Sequence, residues 1–408
     1  MLVTIFVFNM NAGQPYRTLT LRVPFVLMAC VSLYGCKEKY LPEIKDVSPN
    51  YIVIDGFINT GSDSTIIKVS RTFKLESKAV VAPERGAIVI VEAEGAASYT
   101  LPELSSKPGV YAIPSISHDQ TKKYRLRVRT KDNKEYLSDF VESKVSPPVE
   151  LTYDFRHGNL NICTNTQDAT GKSQYYNYTY NETWQYRAPQ ESVIKIENKQ
   201  LVYRHYPQDD IYNCYHHVPS SKITLATTTT LKEDRLADNL IIEILPTSQK
   251  VKIEYSVLVK QTVLTRAGFD FFETLKKNTE QVGSIFDAQP SQIYSNIRCI
   301  TNAADVVIGF ISAGTVTEKR ILLVANNFPF PFEGRLSDQY CEDHAEILNT
   351  SQHKALLFDP TQSEYIPIQT YRDPWLPLPN NIIATKLWEC ADCRVQGGTN
   401  IVPPYWIY

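Results

Sequence analysis

From Tyr51 onward a two-residue rhythm dominates the chain. It is clearest in Lys123-Tyr-Arg-Leu-Arg-Val-Arg129, where Tyr124, Leu126 and Val128 share one face and Arg125, Arg127 and Arg129 the other. Side chains alternate sides along an extended backbone, so this pattern predicts a strand buried on one face and wet on the other. The three arginines are expected to form a solvated face rather than a ligand patch. Comparable stretches at 51–58, 65–73, 87–94, 98–101, 109–112 and 135–140 are separated by turn-forming runs, among them Asn59-Thr-Gly-Ser-Asp-Ser64, Lys107-Pro-Gly109 and Lys131-Asp-Asn-Lys134. Short strands at this density, over about 100 residues, predict an immunoglobulin-like β-sandwich spanning 51–147. Val145-Ser-Pro-Pro148 punctuates its end.

A second β-rich domain with a mixed cap is expected over 148–408. Its strand material includes the tyrosine-rich 173–184, then 225–230, 239–245 and 251–259, the last with Val251, Ile253, Tyr255, Val257 and Val259 on one face. The tyrosines are expected to pack or to cover an edge, although Tyr also suits carbohydrate or peptide platforms. One persuasive helix is predicted over 267–281. Phe269, Phe271, Phe272 and Leu275 can share an apolar face there, expected to serve the core, and Gly283 is placed to stop it. Strands return at 306–312 and 320–324. The segments 327–332 and 374–379 are too proline-rich for central strands. A short helix over 338–348 would carry Cys341 and His344. The fold class is thus mainly β: an N-terminal immunoglobulin-like sandwich, then a second β-rich domain with a small helical, disulfide-stapled C-terminal section.

The first 50 residues read as an address. Residues 1–35 hold Arg17 and Arg22 and no acid, followed by the apolar run from Val23 to Leu33. A basic start, a short apolar run and a small residue before the cut make a secretory signal, and the run is too short to span a bilayer. Leu33-Tyr34-Gly35-Cys36 resembles the bacterial lipobox, in which the cysteine is lipidated after cleavage. Residues 36–50 would then be a polar tether. All three methionines, Met1, Met10 and Met28, precede Cys36, and Met10 would give a more ordinary signal length. The balance of 42 Lys+Arg against 44 Asp+Glu excludes a dedicated nucleic-acid binder, which needs a basic excess to neutralise phosphates.

Export changes how the cysteines are read. Setting aside Cys30 and Cys36 leaves Cys163, Cys214, Cys299, Cys341, Cys390 and Cys393. An even number in an oxidising compartment favours disulfides, here as many as three, with connectivity open. The rival is a metal site drawn from Cys214-Tyr-His216-His217, Cys341-Glu-Asp-His344 and Cys390-Ala-Asp-Cys393, none of which matches a paired zinc-finger spacing. No cofactor or metal is expected, and a redox role for Cys390-x-x-Cys393 lacks the βαβ context it needs.

Several stretches resemble the domain-of-unknown-function 4249 family of Bacteroidota outer-membrane lipoproteins. They are Tyr51-Ile-Val-Ile-Asp-Gly-Phe-Ile58, Lys107-Pro-Gly-Val-Tyr111 with Lys123-Tyr-Arg-Leu126, Glu182-Thr-Trp-Gln-Tyr-Arg187, Gly283-Ser-Ile-Phe-Asp287, and the tail Cys390-Ala-Asp-Cys-Arg-Val-Gln-Gly-Gly-Thr-Asn400 with Pro404-Tyr-Trp406. The resemblance implies a lipid-anchored protein at the cell surface, working beside a TonB-dependent β-barrel transporter, and supplies no catalytic residue. The expectation is therefore a non-enzymatic lipoprotein that captures a ligand or assists such a transporter. The alternatives are a structural or adhesive envelope protein and an exported hydrolase. The hydrolase would gain if His216, His217 or His344 met a carboxylate and a hydroxyl in a cleft, but no Gly-x-Ser-x-Gly or His-Glu-x-x-His motif is present. Asp63-Ser64-Thr65 also resembles an O-glycosylation site, against a plain solvated loop.

Overall fold

The structure, a computed structural model, describes residues 50–72, 82–95, 98–116, 119–280, 292–329, 338–353, 356–357, 364–371 and 381–406. The signal segment, Cys36, nearly all of the tether, Gly283, the 283–287 motif and 374–379 lie outside these residues. Chain order begins with β1 (Ile52–Asn59), β2 (Thr65–Arg71), β3 (Ala82–Pro83), β4 (Ile88–Ala93), β5 (Ser98–Leu101), β6 (Val110–Ile113), β7 (Lys123–Arg129), β8 (Glu135–Ser138) and β9 (Val141–Lys144). Next come β10 (Val149–Arg156), β11 (Asn159–Gln167), β12 (Tyr175–Arg187), β13 (Ile194–Glu197), β14 (Gln200–Tyr203), β15 (Asn213–Pro219), β16 (Thr224–Thr227), β17 (Arg235–Ile244), β18 (Glu254–Val263) and helix α1 (Arg266–Glu280). The chain then forms β19 (Ile297–Cys299), β20 (Val307–Ile308), β21 (Ser312–Gly314), β22 (Val316–Val324), α2 (Asp338–Asp343), β23 (Ala345–Asn349), β24 (Ile366–Tyr371), β25 (Asn381–Thr385) and α3 (Trp388–Ala391). Among the described residues no helix is long and apolar enough to cross a membrane.

The expected sandwich is present. One layer is built on the β1–β2 hairpin with β3 and β6, the other on β4, β5, β7 and β8, and β9 joins them into a continuous twelve-stranded sheet by pairing with both β7 and β21. Ile52, Ile54, Ile67 and Val69 from the first meet Val89, Val91, Tyr124, Leu126 and Val128 from the second in one core. The outward face of β7 carries Arg125 and Arg127 in an ion-pair ladder. Glu92 accepts from Arg125 and Arg127, each at 2.6 Å, and Arg127 also meets Glu135.

The second region does not run on unbroken from residue 148, because 297–314 returns to complete the first sandwich. Strand β19 pairs with β8, while β20 and β21 lie parallel to β1, and β21 also pairs with β9. Two glycines permit this close insertion. A Cβ at Gly309 would stand 2.0 Å from the Ile54 carbonyl oxygen, and one at Gly314 2.2 Å from that of Lys144.

The second region packs the sheet β15-β12-β18-β22, with β16 on the far half of β12, against the sheet β10-β11-β17. Tyr176, Tyr178 and Tyr255 are fully enclosed between them, alongside Leu160, Ile162, Ile242, Val257 and Val259. Packing is thus the use of this part of the tyrosine-rich strand. Gln261, fully buried, joins the two regions: its amide nitrogen donates to the Pro147 carbonyl at 2.9 Å and to Ser146 Oγ at 3.1 Å. A small third sheet, β23-β25-β24, packs beside the β13–β14 hairpin through Ile194, Leu348 and Ile382. The helix expected over 338–348 stops at Asp343, and Ala345–Asn349 is a strand paired with β25.

Candidate functional site

The outward faces of two hairpin systems and one helix enclose a cleft of 580 Å³. On the first sandwich, Phe57 of β1 stands opposite Ile66 of β2, and Asp55 opposite Lys68. Directly opposed residues of an antiparallel pair share a face, so these four project together. On the second region, β12 buries Tyr176, Tyr178 and Tyr180 and turns Asn177 and Thr179 outward. Register places Asn177 beside Thr262 and Thr179 beside Lys260 of β18, while Val316 and Glu318 of β22 flank those same two residues. The sandwich wall thus sets Phe57 and Ile66 beside charged neighbours, and the second wall sets Asn177, Thr179 and Thr262 around Lys260, a mix of apolar surface and placed polar groups that small-molecule sites tend to show.

Helix α1 closes one end. Its first turn is capped by Thr265 Oγ1, which accepts from the Gly268 N–H at 3.2 Å. Phe271 turns inward against Phe310, ring centroids 5.4 Å apart, while Phe272 and Leu275 line the cleft. Core packing is the main use expected of the phenylalanine-rich helix, with a ligand surface as the lesser alternative; it serves both, because Phe271 and Phe272 project about 100° apart around a helix. Glu280 at its end accepts the Ile223 N–H at 2.7 Å and so anchors the 220–223 loop over the cleft. Asp63 and Ser64 line the cleft as well, whereas Thr65 is buried with its hydroxyl on the Asn59 carbonyl at 3.3 Å.

The cysteines divide into bridged and free. Cys214 bonds Cys393 and Cys341 bonds Cys390, so Cys390-x-x-Cys393 is shared between two bridges that staple the tail to β15 and to α2. Cys163 and Cys299 are free, which corrects the expectation of a third bridge. Each is buried in a strand of a different sheet, Cys163 in β11 and Cys299 in β19, and Cys299 belongs to the core of the first sandwich. All four cysteines of the three suggested metal clusters are spent in bridges. Among the described residues no group of three metal-ligating side chains converges.

The histidines are placed as follows. His216 lies between the rings of Tyr186, 4.7 Å away, and Trp184, 5.0 Å away. His217 Nδ1 is 3.0 Å from Thr183 Oγ1, which is in turn 2.8 Å from Tyr405 Oη. His344 Nδ1 faces the Tyr340 carbonyl at 2.8 Å. None of the three is among the residues lining the cleft. A second hollow of 640 Å³ is floored by Trp184, but that ring already carries His216 and, 5.1 Å away, Lys250 Nζ.

Burial depresses the pKa of both His216 and His217, with the charge of His217 adding for the first and that of Arg320 for the second. The unfolded chain then binds protons that the folded chain refuses once pH falls below about 6.5. This contribution to stability is fully present above that pH and is lost on acidification. The urea midpoint is expected to fall from about pH 7 to 5, with a shallower fall in His217→Gln; equal slopes in the two proteins would refute the assignment.

Sequence reasoning missed the cleft because its walls come from six separate stretches of chain; no local motif marks it. A sequence model of the family described as Domain of unknown function (DUF4249) matches residues 37–320. No curated protein matches the chain.

Proposed function

Because the chain belongs to the DUF4249 family, which carries no assigned activity, the site itself must supply the argument. We propose that the protein is a lipid-anchored outer-membrane protein that captures a small ligand in the cleft between its two β-regions and passes it to a TonB-dependent β-barrel transporter. The observation that carries this reading is the cleft: 580 Å³, lined from both regions by apolar side chains (Phe57, Ile66, Phe272, Leu275) and by amide and hydroxyl groups (Asn177, Thr179, Thr262). Sites of this size at a junction between domains suit drug-sized ligands. The lipobox-like Leu33-Tyr34-Gly35-Cys36 supplies the anchor, and the two bridges fit an oxidising compartment. Binding is favoured over hydrolysis because the hydroxyl that His217 meets, that of Thr183, is only 2% exposed and also held by Tyr405. A nucleophile must reach its substrate.

The test is purification from detergent-solubilised outer membranes with identification of whatever comes along. A β-barrel transporter is expected to copurify, and labelled palmitate is expected on the wild type but not on Cys36→Ala. Recovery without any β-barrel protein would overturn the delivery reading, and an unlabelled wild type would overturn the anchor.

A further inference from the structure

Resting on this capture reading, we infer that the cleft selects an uncharged amphiphile, an apolar body ending in an amide or hydroxyl group, and rejects carboxylates and amines of the same shape. The lining charges decide the matter. They are Asp55, Asp63, Lys222 and Lys260, two of each sign. Lys260 Nζ sits 3.4 Å from Asp63 and 3.1 Å from Glu318. Burial works against its charge, yet hydrogen bonds and attraction from Glu318 and Asp63 outweigh it, so the pKa is raised and the ammonium is retained. Asp55 faces Lys68 at 3.6 Å. Lys222 stands exposed on the rim, where water and salt screen it. A charged ligand group entering the interior would thus lose its hydration and meet only ions already engaged with each other.

The uncharged polar groups of the cleft have the opposite character. Asn177, Thr179 and Thr262 offer amide and hydroxyl groups. Ser312, 4% exposed, also lines the cleft, and among the described residues its Oγ has no hydrogen-bond partner. A buried hydroxyl left unpaired is satisfied when a ligand hydroxyl or amide reaches it. Gly268 leaves room beside it, since a Cβ there would stand 3.2 Å from both Ser312 Oγ and the Phe310 ring. Phe57, Ile66, Phe272 and Leu275 supply the apolar surface for the body of the ligand.

The experiment uses the mature chain and the uncharged fluorophore N-phenyl-1-naphthylamine, displaced by octanamide, octanoate or octylamine at pH 7.5. Saturable fluorophore binding that weakens in Leu275→Asp is expected. Octanamide should displace it at concentrations at least about tenfold below either charged analogue, a factor set by the ion's lost hydration. Lys260→Gln, which leaves Asp63 and Glu318 unbalanced, should move the preference toward octylamine by about fivefold or more. If octanoate or octylamine competes as well as octanamide in the wild type, the selectivity is refuted while capture stands. Absence of fluorophore binding, or binding unaltered in Leu275→Asp, overturns the capture reading and the selectivity with it.

Discussion

Replacing both Cys214 and Cys393 by alanine is expected to lower folding stability by about 2–5 kcal/mol, read as a drop in the urea midpoint with unchanged slope. The bridge joins positions 179 residues apart, from β15 to the tail after α3. A cross-link over so long a stretch removes much of the unfolded chain's freedom, which is where most of the effect arises in the chain-entropy picture. The Cys341–Cys390 bridge closes 49 residues, so the matching double alanine variant should lose about 1 kcal/mol less. The tail has other attachments that remain in either variant. Tyr186 Oη donates to the Cys393 carbonyl at 2.6 Å, Tyr215 and Thr399 exchange backbone hydrogen bonds at 2.7 and 3.0 Å, and the Trp406 ring meets Tyr215 edge-on. Loss of the Cys214–Cys393 bridge should therefore raise amide exchange first in 393–406 and along β15. A midpoint unchanged from wild type would show that the tail's hydrogen bonds and packing hold it without the bridge.

Lys250→Met is expected to cost about 3 kcal/mol, the lower end of the range for breaking a buried ion pair. Glu182 is 5% exposed and points into the core of the second region, where Lys250 Nζ meets its two oxygens at 2.9 and 2.8 Å and Tyr255 Oη donates at 2.8 Å. Without the lysine, a buried carboxylate keeps one neutral donor. The lower end applies because the Lys250 side chain is 32% exposed, which lets water approach the orphaned charge. Glu182→Gln combined with Lys250→Met removes the stranded charge and should recover most of the loss. A double variant as unstable as Lys250→Met would contradict an electrostatic origin and point to packing of the lysine stem over Trp184, 5.1 Å away.

Local pattern made the strands and the helix legible, and long-range pairing hid the rest. Lys123–Arg129 alternates so regularly that the strand is found where the pattern puts it, and α1 lies one residue earlier at each end than its expected 267–281. By contrast, the short helix expected over 338–348 ends at Asp343. What makes Ala345–Asn349 a strand is β25, more than thirty residues on, whose register runs from Ala345 opposite Thr385 to Asn349 opposite Asn381. The return of β20 and β21 to β1 was equally hidden, since Gly309 and Gly314 reveal their purpose only once Ile54 and Lys144 stand beside them. Cysteine count favoured bridges correctly but not their number; the free pair, Cys163 and Cys299, sits in separate sheets. The cleft depends on which residues face outward at the junction of two regions, and Phe272 differs from its neighbour Phe271 only in that respect.

The capture reading is tested most directly by a benzophenone photo-crosslinking residue placed at Ile66, inside the cleft, and as a control at Ile88, which is similarly exposed, 51% against 45%, but not part of it. Each protein would be expressed in its own cells, irradiated in place and examined intact by mass spectrometry. A discrete small-molecule adduct at position 66 and none at 88 is the expected result. Equal labelling at the two positions, or an unmodified protein at 66, would contradict it.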